Sequence, residues 1–134
     1  MKEVNRFAKE LVDKLKKEGF TIQYYHARST NSVYLKLDYG LAHSVRISDH
    51  KGKKHLKYRY NFAITTNRIN KVPTKNGWRY FSPFHKVDDM VEIIKEERDR
   101  KIEVMGKEKY EENMLLEYVM NNGTPGFWSN YKFV

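Results

Sequence analysis

The chain opens on a helical rhythm. Val4, Phe7, Ala8, Leu11, Val12 and Leu15 follow one another at three- and four-residue steps while Lys, Glu and Asp fill the other face, which predicts an amphipathic helix over residues 2–18. Gly19 suits the left-handed position just past its end, and Lys14, Lys16 and Lys17 suit the negative end of its dipole. From Phe20 the period falls to two. Phe20, Ile22 and Tyr24 alternate with Thr21, Gln23 and Tyr25; beyond the polar cluster Ser29, Thr30, Asn31 and Ser32, the residues Val33, Leu35 and Leu37 alternate with Tyr34, Lys36 and Asp38. This reads as a hairpin. Val45 and Ile47 mark a short third strand, and Asp49, His50, Lys51 and Gly52 supply the next turn. The clearest alternation spans residues 54–65, with Leu56, Tyr58, Tyr60, Phe62 and Ile64 on a core face and Lys57, Arg59, Asn61 and Thr65 on a wet, basic one. Trp78, Arg79, Tyr80 and Phe81 make a final strand, after which Ser82 and Pro83 stop the chain or start a helix.

Helical spacing returns at Val87, Met90, Val91 and Ile94, with Asp88 and Asp89 in the first turn. A further helix after Gly106 carries Tyr110, Met114, Leu115, Tyr118 and Val119 on one face. Between them, residues 95–101 (KEERDRK) hold no apolar side chain and read as exposed helix or a hinge. Residues 121–126 break the chain, and Phe127, Trp128, Tyr131 and Phe133 form an aromatic tail expected to dock on the body or on a protein partner. The expected fold class is α+β: an N-terminal helix packed on an antiparallel sheet of four to five strands, followed by two C-terminal helices and the tail. Residues 1–86 form the helix-plus-sheet body; residues 87–134 are a helical segment of the same domain or an appendage to it.

At 134 residues and 40% hydrophobic content, the chain is sized for one core. Cysteine is absent, so disulfides and thiolate metal sites are unavailable and the composition suits a reducing interior, with cytoplasm the expected location. No apolar run approaches the roughly 18 residues that span a bilayer, and the first residues are a charged helical pattern unlike a signal peptide. The net charge of +9 is unevenly spread. Residues 1–86 hold 19 Lys and Arg against 6 Asp and Glu, whereas residues 87–134 hold 7 against 11. A basic body favours phosphate backbones through counter-ion release, and the acidic helices are expected to present a solvated face.

Chemistry concentrates in RISDHKGKKHLKYRYNF (46–62). Arg46, Lys51, Lys53, Lys54, Lys57 and Arg59 fall within 14 positions around a glycine turn, interleaved with His50, His55, Tyr58 and Tyr60. As a hairpin tip these cations would track successive phosphates, with Tyr34, Trp78 and Arg79 adding exposed rings and charge nearby. Tyr58 and Tyr60 belong to the core face, and Tyr25, Tyr34 and Trp78 are the rings expected at the surface. No two of His26, His43, His50, His55 and His85 stand at helical metal-ligand spacing, and the body's acids are too few for a two-metal nuclease. Asp49 reads as a turn former. With no phosphate loop, nucleophile elbow or catalytic triad order, the expectation is a protein that is not an enzyme and uses no metal or cofactor.

The stretch from Ser29 to His50 resembles a pattern that recurs in small phage and integrative-element proteins of Gram-positive bacteria, carried here by Ser29, Ser32, Tyr34, Arg46, Ser48, Asp49 and His50. The resemblance covers about a sixth of the chain and brings no functional residues with it. It implies a setting in which accessory genes encode DNA-handling proteins, regulators and anti-defence inhibitors, including anti-CRISPR proteins. The expected function is therefore a non-enzymatic anti-defence inhibitor that binds a nuclease such as a Cas effector, or its guide-RNA complex, and blocks DNA loading or cleavage. The alternative is a plain DNA- or RNA-binding or regulatory protein using the basic segment 46–59. In either case Phe127, Trp128 and Tyr131 are the expected protein-contact residues.

Overall fold

A computed structural model of the protein describes residues 2–27, 32–48, 58–63, 74–75, 78–81, 86–121 and 132–134. Helix α1 spans Lys2–Lys17 and buries Val4, Ala8, Leu11, Val12 and Leu15, the stripe its spacing dictates. Its end is set by Gly19 at φ 86°. There the Phe20 N–H reaches back to the Leu15 carbonyl at 3.2 Å and the Gly19 N–H to that of Lys16 at 3.0 Å. These two bonds satisfy carbonyls that the helix leaves open, and Phe20 and Leu15, both buried, pack where the motif wants an apolar contact. Only a residue without a Cβ adopts that φ without strain.

Among the described residues the sheet has seven strands: β1 Ile22–Ala27, β2 Ser32–Leu37, β3 Ser44–Ser48, β4 Tyr60–Ala63, β5 Thr74–Lys75, β6 Trp78–Phe81 and β7 Lys132–Phe133, in the order β5-β6-β4-β3-β2-β1-β7. Strands β1, β2 and β3 form the expected antiparallel meander, with Ile22 opposite Leu37 and Val33 opposite Ile47. Beyond β3 the expectation of a purely antiparallel sheet is corrected. Strand β4 runs parallel to β3, with Val45 beside Tyr60 and Ile47 beside Phe62, and β6 runs parallel to β4. Strands β3 and β4, eleven residues apart in the chain, are therefore not the two arms of one hairpin. That separation is close to the dozen that a parallel connection needs, whereas a hairpin closes with two to five. Of the alternation over 54–65, Tyr60–Ala63 is strand β4, Tyr58 and Arg59 precede it, and residues 54–57, 64 and 65 lie outside the described residues.

Two further helices follow, α2 at Val87–Met105 and α3 at Lys107–Asn121. Gly106, at φ 94° and ψ 139°, separates them as expected. Val87, Met90, Val91 and Ile94 join α1 and the sheet in one core, so both α1 and the first half of α2 lie on the same sheet face. That face presents Ile22, Leu35, Leu37, Val45, Ile47, Tyr60, Phe62 and Phe81, and Phe7 of α1 stacks on Phe62 with centroids 3.7 Å apart. Ion pairs of Lys14 with Asp88 and of Lys95 with Glu18 link the outer edges of the two helices. Residues 95–101 are continuous helix within α2.

As the exposed-helix reading expects, Lys95, Glu96, Asp99 and Arg100 are exposed, but Glu97, Arg98 and Lys101 turn to the body. Glu97 receives Arg59 and Tyr60, the Arg98 guanidinium lies 3.9 Å from the centre of the Phe20 ring, and Lys101 donates to the Leu41 carbonyl at 2.7 Å. A charged run with no apolar residue is thus docked by its polar ends. On α3, by contrast, Tyr110 is buried while Leu115 and Leu116 are 64% and 58% exposed, so the apolar face expected there is only partly covered.

Candidate anion-binding sites

Strand alternation sends every second residue to the sheet face opposite the helices. On that face the register lines up Tyr25, Tyr34, Arg46 and Asn61 in one row, and Ala27, Ser32, Ser48 and Ala63 in the next. The composition is polar and aromatic, yet the centre is buried: Ser32, Tyr34, Arg46, Ser48 and Asn61 all lie out of solvent. The Ser32 and Ser48 hydroxyl oxygens are 3.1 Å apart, and Arg46 Nη2 donates to Ser48 Oγ at 3.0 Å. Rings flank the row on both sides of Tyr34, with Tyr25 at 6.3 Å and Tyr58 at 5.2 Å between centroids. Asn61 Nδ2 donates to the Tyr58 carbonyl at 2.7 Å and so fixes the chain that carries the last ring. Burial raises the Tyr58 hydroxyl above the usual phenol range, and the neighbouring Tyr34 adds to the shift while Arg46 opposes it.

A second concentration of charge lies where α2 meets the sheet. Arg59 gives Nε and Nη2 to a single Glu97 oxygen, at 3.0 and 2.7 Å, and Tyr60 Oη donates to the same atom at 3.1 Å. Burial, reinforced by Glu97, pushes the Tyr60 hydroxyl far above its ordinary value, which keeps it a donor. Beside this knot His43, Arg59, Glu97, Arg100, Lys101, Val104 and Met105 line a cleft of about 460 Å³. Burial lowers the basicity of His43, and Lys101 and Arg59 lower it further. The cleft therefore holds two guanidiniums, one ammonium, an imidazole of lowered basicity and one carboxylate already engaged by Arg59. His43 gets there through a tight turn between β2 and β3 in which Asp38, Tyr39, Gly40 and His43 all take positive φ.

That turn also anchors α3. Asp38 is buried, accepts the Thr21 N–H at 2.9 Å on one oxygen and the Tyr110 hydroxyl at 2.6 Å on the other. Burial first, and then the bond to Asp38, pushes the Tyr110 hydroxyl far up. Tyr39 from the same turn meets Tyr118 of α3 and Phe133 of β7 edge-on, at 5.3 and 5.9 Å. The end of the aromatic tail thus docks on the body, as a strand added to β1.

Of the described residues singled out from sequence, Arg46 and Tyr34 are paired across β3 and β2, and Arg59 turns to Glu97. Arg46 is buried on the sheet face and Arg59 is committed to Glu97, so neither presents an open guanidinium beside the other. Tyr34 is buried and not a surface ring, because Tyr25 and Tyr58 close on it from both sides. Trp78 and Arg79 fall in β6. Lys51, Lys53, Lys54, Lys57, Asp49, His50, His55, His85, Phe127, Trp128 and Tyr131 lie outside the described residues. Sequence reasoning missed His43, Glu97, Arg100 and Lys101. The apolar-free run at 95–101 was the available signal, since a long charged stretch inside an otherwise amphipathic helix needs polar partners to dock. Of the seven residues that carry the resemblance, Ser32, Tyr34, Arg46 and Ser48 come together on two paired strands. Among the described residues no three His, Asp or Glu side chains converge as metal ligands, and no helix is long and apolar enough to cross a membrane. No family model matches the chain, and no curated protein and no solved structure matches it.

Proposed function

We propose that the protein is a non-enzymatic nucleic-acid-binding protein that takes a phosphate backbone along the cleft between α2 and the turn after β2. The observation that carries this reading is the charge inventory of the cleft: Arg59, Arg100 and Lys101 face one carboxylate, and that carboxylate is already spent on Arg59 and Tyr60. Arg100 and Lys101 come from the helical segment, and Arg59 brings in the basic body of residues 1–86 beside them. Polyanions bind such surfaces by releasing counter-ions. Fluorescence anisotropy with labelled single-stranded DNA and RNA across a salt series tests it. Affinity is expected to fall steeply with salt, and Arg100→Glu/Lys101→Glu should weaken binding at low salt and flatten the salt slope by about two, one per lost cation. Salt-independent binding, or an unchanged slope in the double variant, overturns the reading.

A second reading is favoured by α3. Its exposed Leu115 and Leu116 stand among Glu111, Glu112 and Glu117, an apolar and acidic surface unlike the basic body. A protein that meets nucleic acid with one side and a basic protein with the other suits an anti-CRISPR-type inhibitor of a Cas effector and its guide RNA, blocking DNA loading or cleavage. DNA cleavage by a purified effector should then stop at stoichiometric inhibitor, and Leu115→Glu/Leu116→Glu should restore it. Undiminished cleavage at excess protein sinks this version and leaves the first standing.

A further inference from the structure

Of the groups lining the cleft, His43 is the one whose ordinary pKa of about 6.5 lies near neutrality. The turn after β2 holds it in place: its N–H donates to the Gly40 carbonyl at 3.1 Å, and its carbonyl accepts the Leu37 N–H at 2.9 Å. The ring stands edge-on to Tyr60, with centroids 6.4 Å apart. It is half-buried, and among the described residues neither ring nitrogen has a hydrogen-bond partner or is sealed from the cleft. Facing it are Arg59 and Tyr60 from the sheet and Glu97, Arg100 and Lys101 from α2. Glu97 is the only carboxylate of that set, and it is closed on Arg59 and Tyr60. Burial, Lys101 and Arg59 oppose protonation of the ring, and Glu97 alone favours it. At pH 7.5 the empty cleft therefore keeps an uncharged imidazole among its cations.

We propose that His43 is a proton-coupled phosphate contact: a phosphodiester entering the cleft beside Arg100 and Lys101 draws one proton from solvent onto the imidazole, so that binding tightens as the pH falls from 7.5 to 5.5. The role rests on the cleft being the phosphate site proposed above. An anion about 4–6 Å from the ring reverses the balance that keeps it uncharged, raising its pKa by about one unit. The proton goes to the ring nitrogen that lacks one, and the N–H so formed donates to a phosphate oxygen; no other bond changes. Arg100 and Lys101 attract the strand at every pH, and His43 makes the affinity depend on acidity. The free protein holds His43 below its ordinary value and the complex holds it above that free value. Affinity is thus lowest above the bound value, rises as pH falls through it, and levels off below the free one.

The test uses the full chain and a thymidine oligonucleotide with a 5′-hydroxyl, which has no group of its own titrating between pH 5 and 8. The His43 ring resonance is followed by NMR with and without the strand, assigned by its loss in His43→Asn. Its midpoint is expected to rise by about one unit on binding. Anisotropy at constant ionic strength should show an affinity roughly fivefold higher at pH 5.5 than at pH 7.5, the part of a one-unit rise that this range spans. His43→Asn should remove most of that gain. If that variant does not fold, Arg100→Glu/Lys101→Glu identifies the resonance as the histidine whose midpoint rises most without ligand, because two carboxylates replace two cations beside it. Binding that the double variant weakens, together with an unmoved His43 midpoint or an undiminished pH gain in His43→Asn, overturns the role of His43 and leaves the cleft standing. No binding at either pH, or binding that the double variant leaves unchanged, overturns the cleft and this role with it.

Discussion

Helix α1 and the second half of α2 reach the same body by opposite means. Along its whole length α1 turns an apolar stripe to the sheet, and Val4, Ala8, Leu11 and Leu15 are fully buried there. Past Ile94, α2 has nothing comparable to offer and is held by Glu97 to Arg59 and Tyr60, by Arg98 over Phe20, and by Lys101 on Leu41. Apolar docking is strong and indifferent to angle, whereas polar docking is weaker but fixes where each charge stands. The consequence is functional. The cleft forms at the polar end, where Glu97 holds Arg59 and the Leu41 carbonyl holds Lys101.

The largest expected effect breaks the apolar side. Leu11→Ala removes a fully buried side chain, and urea unfolding should show a loss of about 3 kcal/mol in stability. Next comes Glu97→Gln, which leaves Arg59 and Tyr60 facing a neutral amide. Since Arg59 is about one-third exposed, solvent returns part of the loss, and about 2 kcal/mol is expected. Raising salt should shrink the Glu97→Gln effect and leave that of Leu11→Ala unchanged, a contrast that sharpens the distinction between the two modes. Tyr110→Phe takes one donor from buried Asp38 and should cost about 1 kcal/mol, with hydrogen exchange rising in α3 and not in α1.

The smallest effect is a slope in pH. The folded state holds His43 below its unfolded value of about 6.5, so the unfolded chain binds the proton more readily. Its contribution to stability is therefore complete above that value and is lost as pH falls through the folded one. Between pH 7 and 5, wild-type stability should decline more steeply than that of His43→Asn, a substitution that tolerates the positive φ of this position. Parallel pH profiles in urea unfolding would dissociate His43 from this linkage.

Much of the local structure was legible. The step of three and four in α1, the Gly19 stop, the β1–β2–β3 meander and the Gly106 break each follow from spacing and from one residue type in one backbone conformation. The direction of β4 was not legible, because alternation reads the same whichever way a strand runs, and a glycine between two alternating stretches imitates a hairpin signal. Nor was the attachment of β7, whose two residues are too few to show a period. At the candidate sites, a cation looks alike in sequence whether it is open or engaged. Arg46 and Arg59 sit in one basic run, yet one ends up buried beside two serines and the other closed on Glu97, 38 positions away.

By itself the sequence determined what depends on neighbours along the chain: helical and extended periods, the caps, the polarity of each face and the separation of a basic body from acidic helices. Tertiary structure alone decided which way β4 runs, which cations keep a partner, and that one face of a charged half-helix docks while the other meets water. Those outcomes rest on contacts between residues far apart in the chain, where register and burial set the free energy of a charge and local pattern carries no record of them.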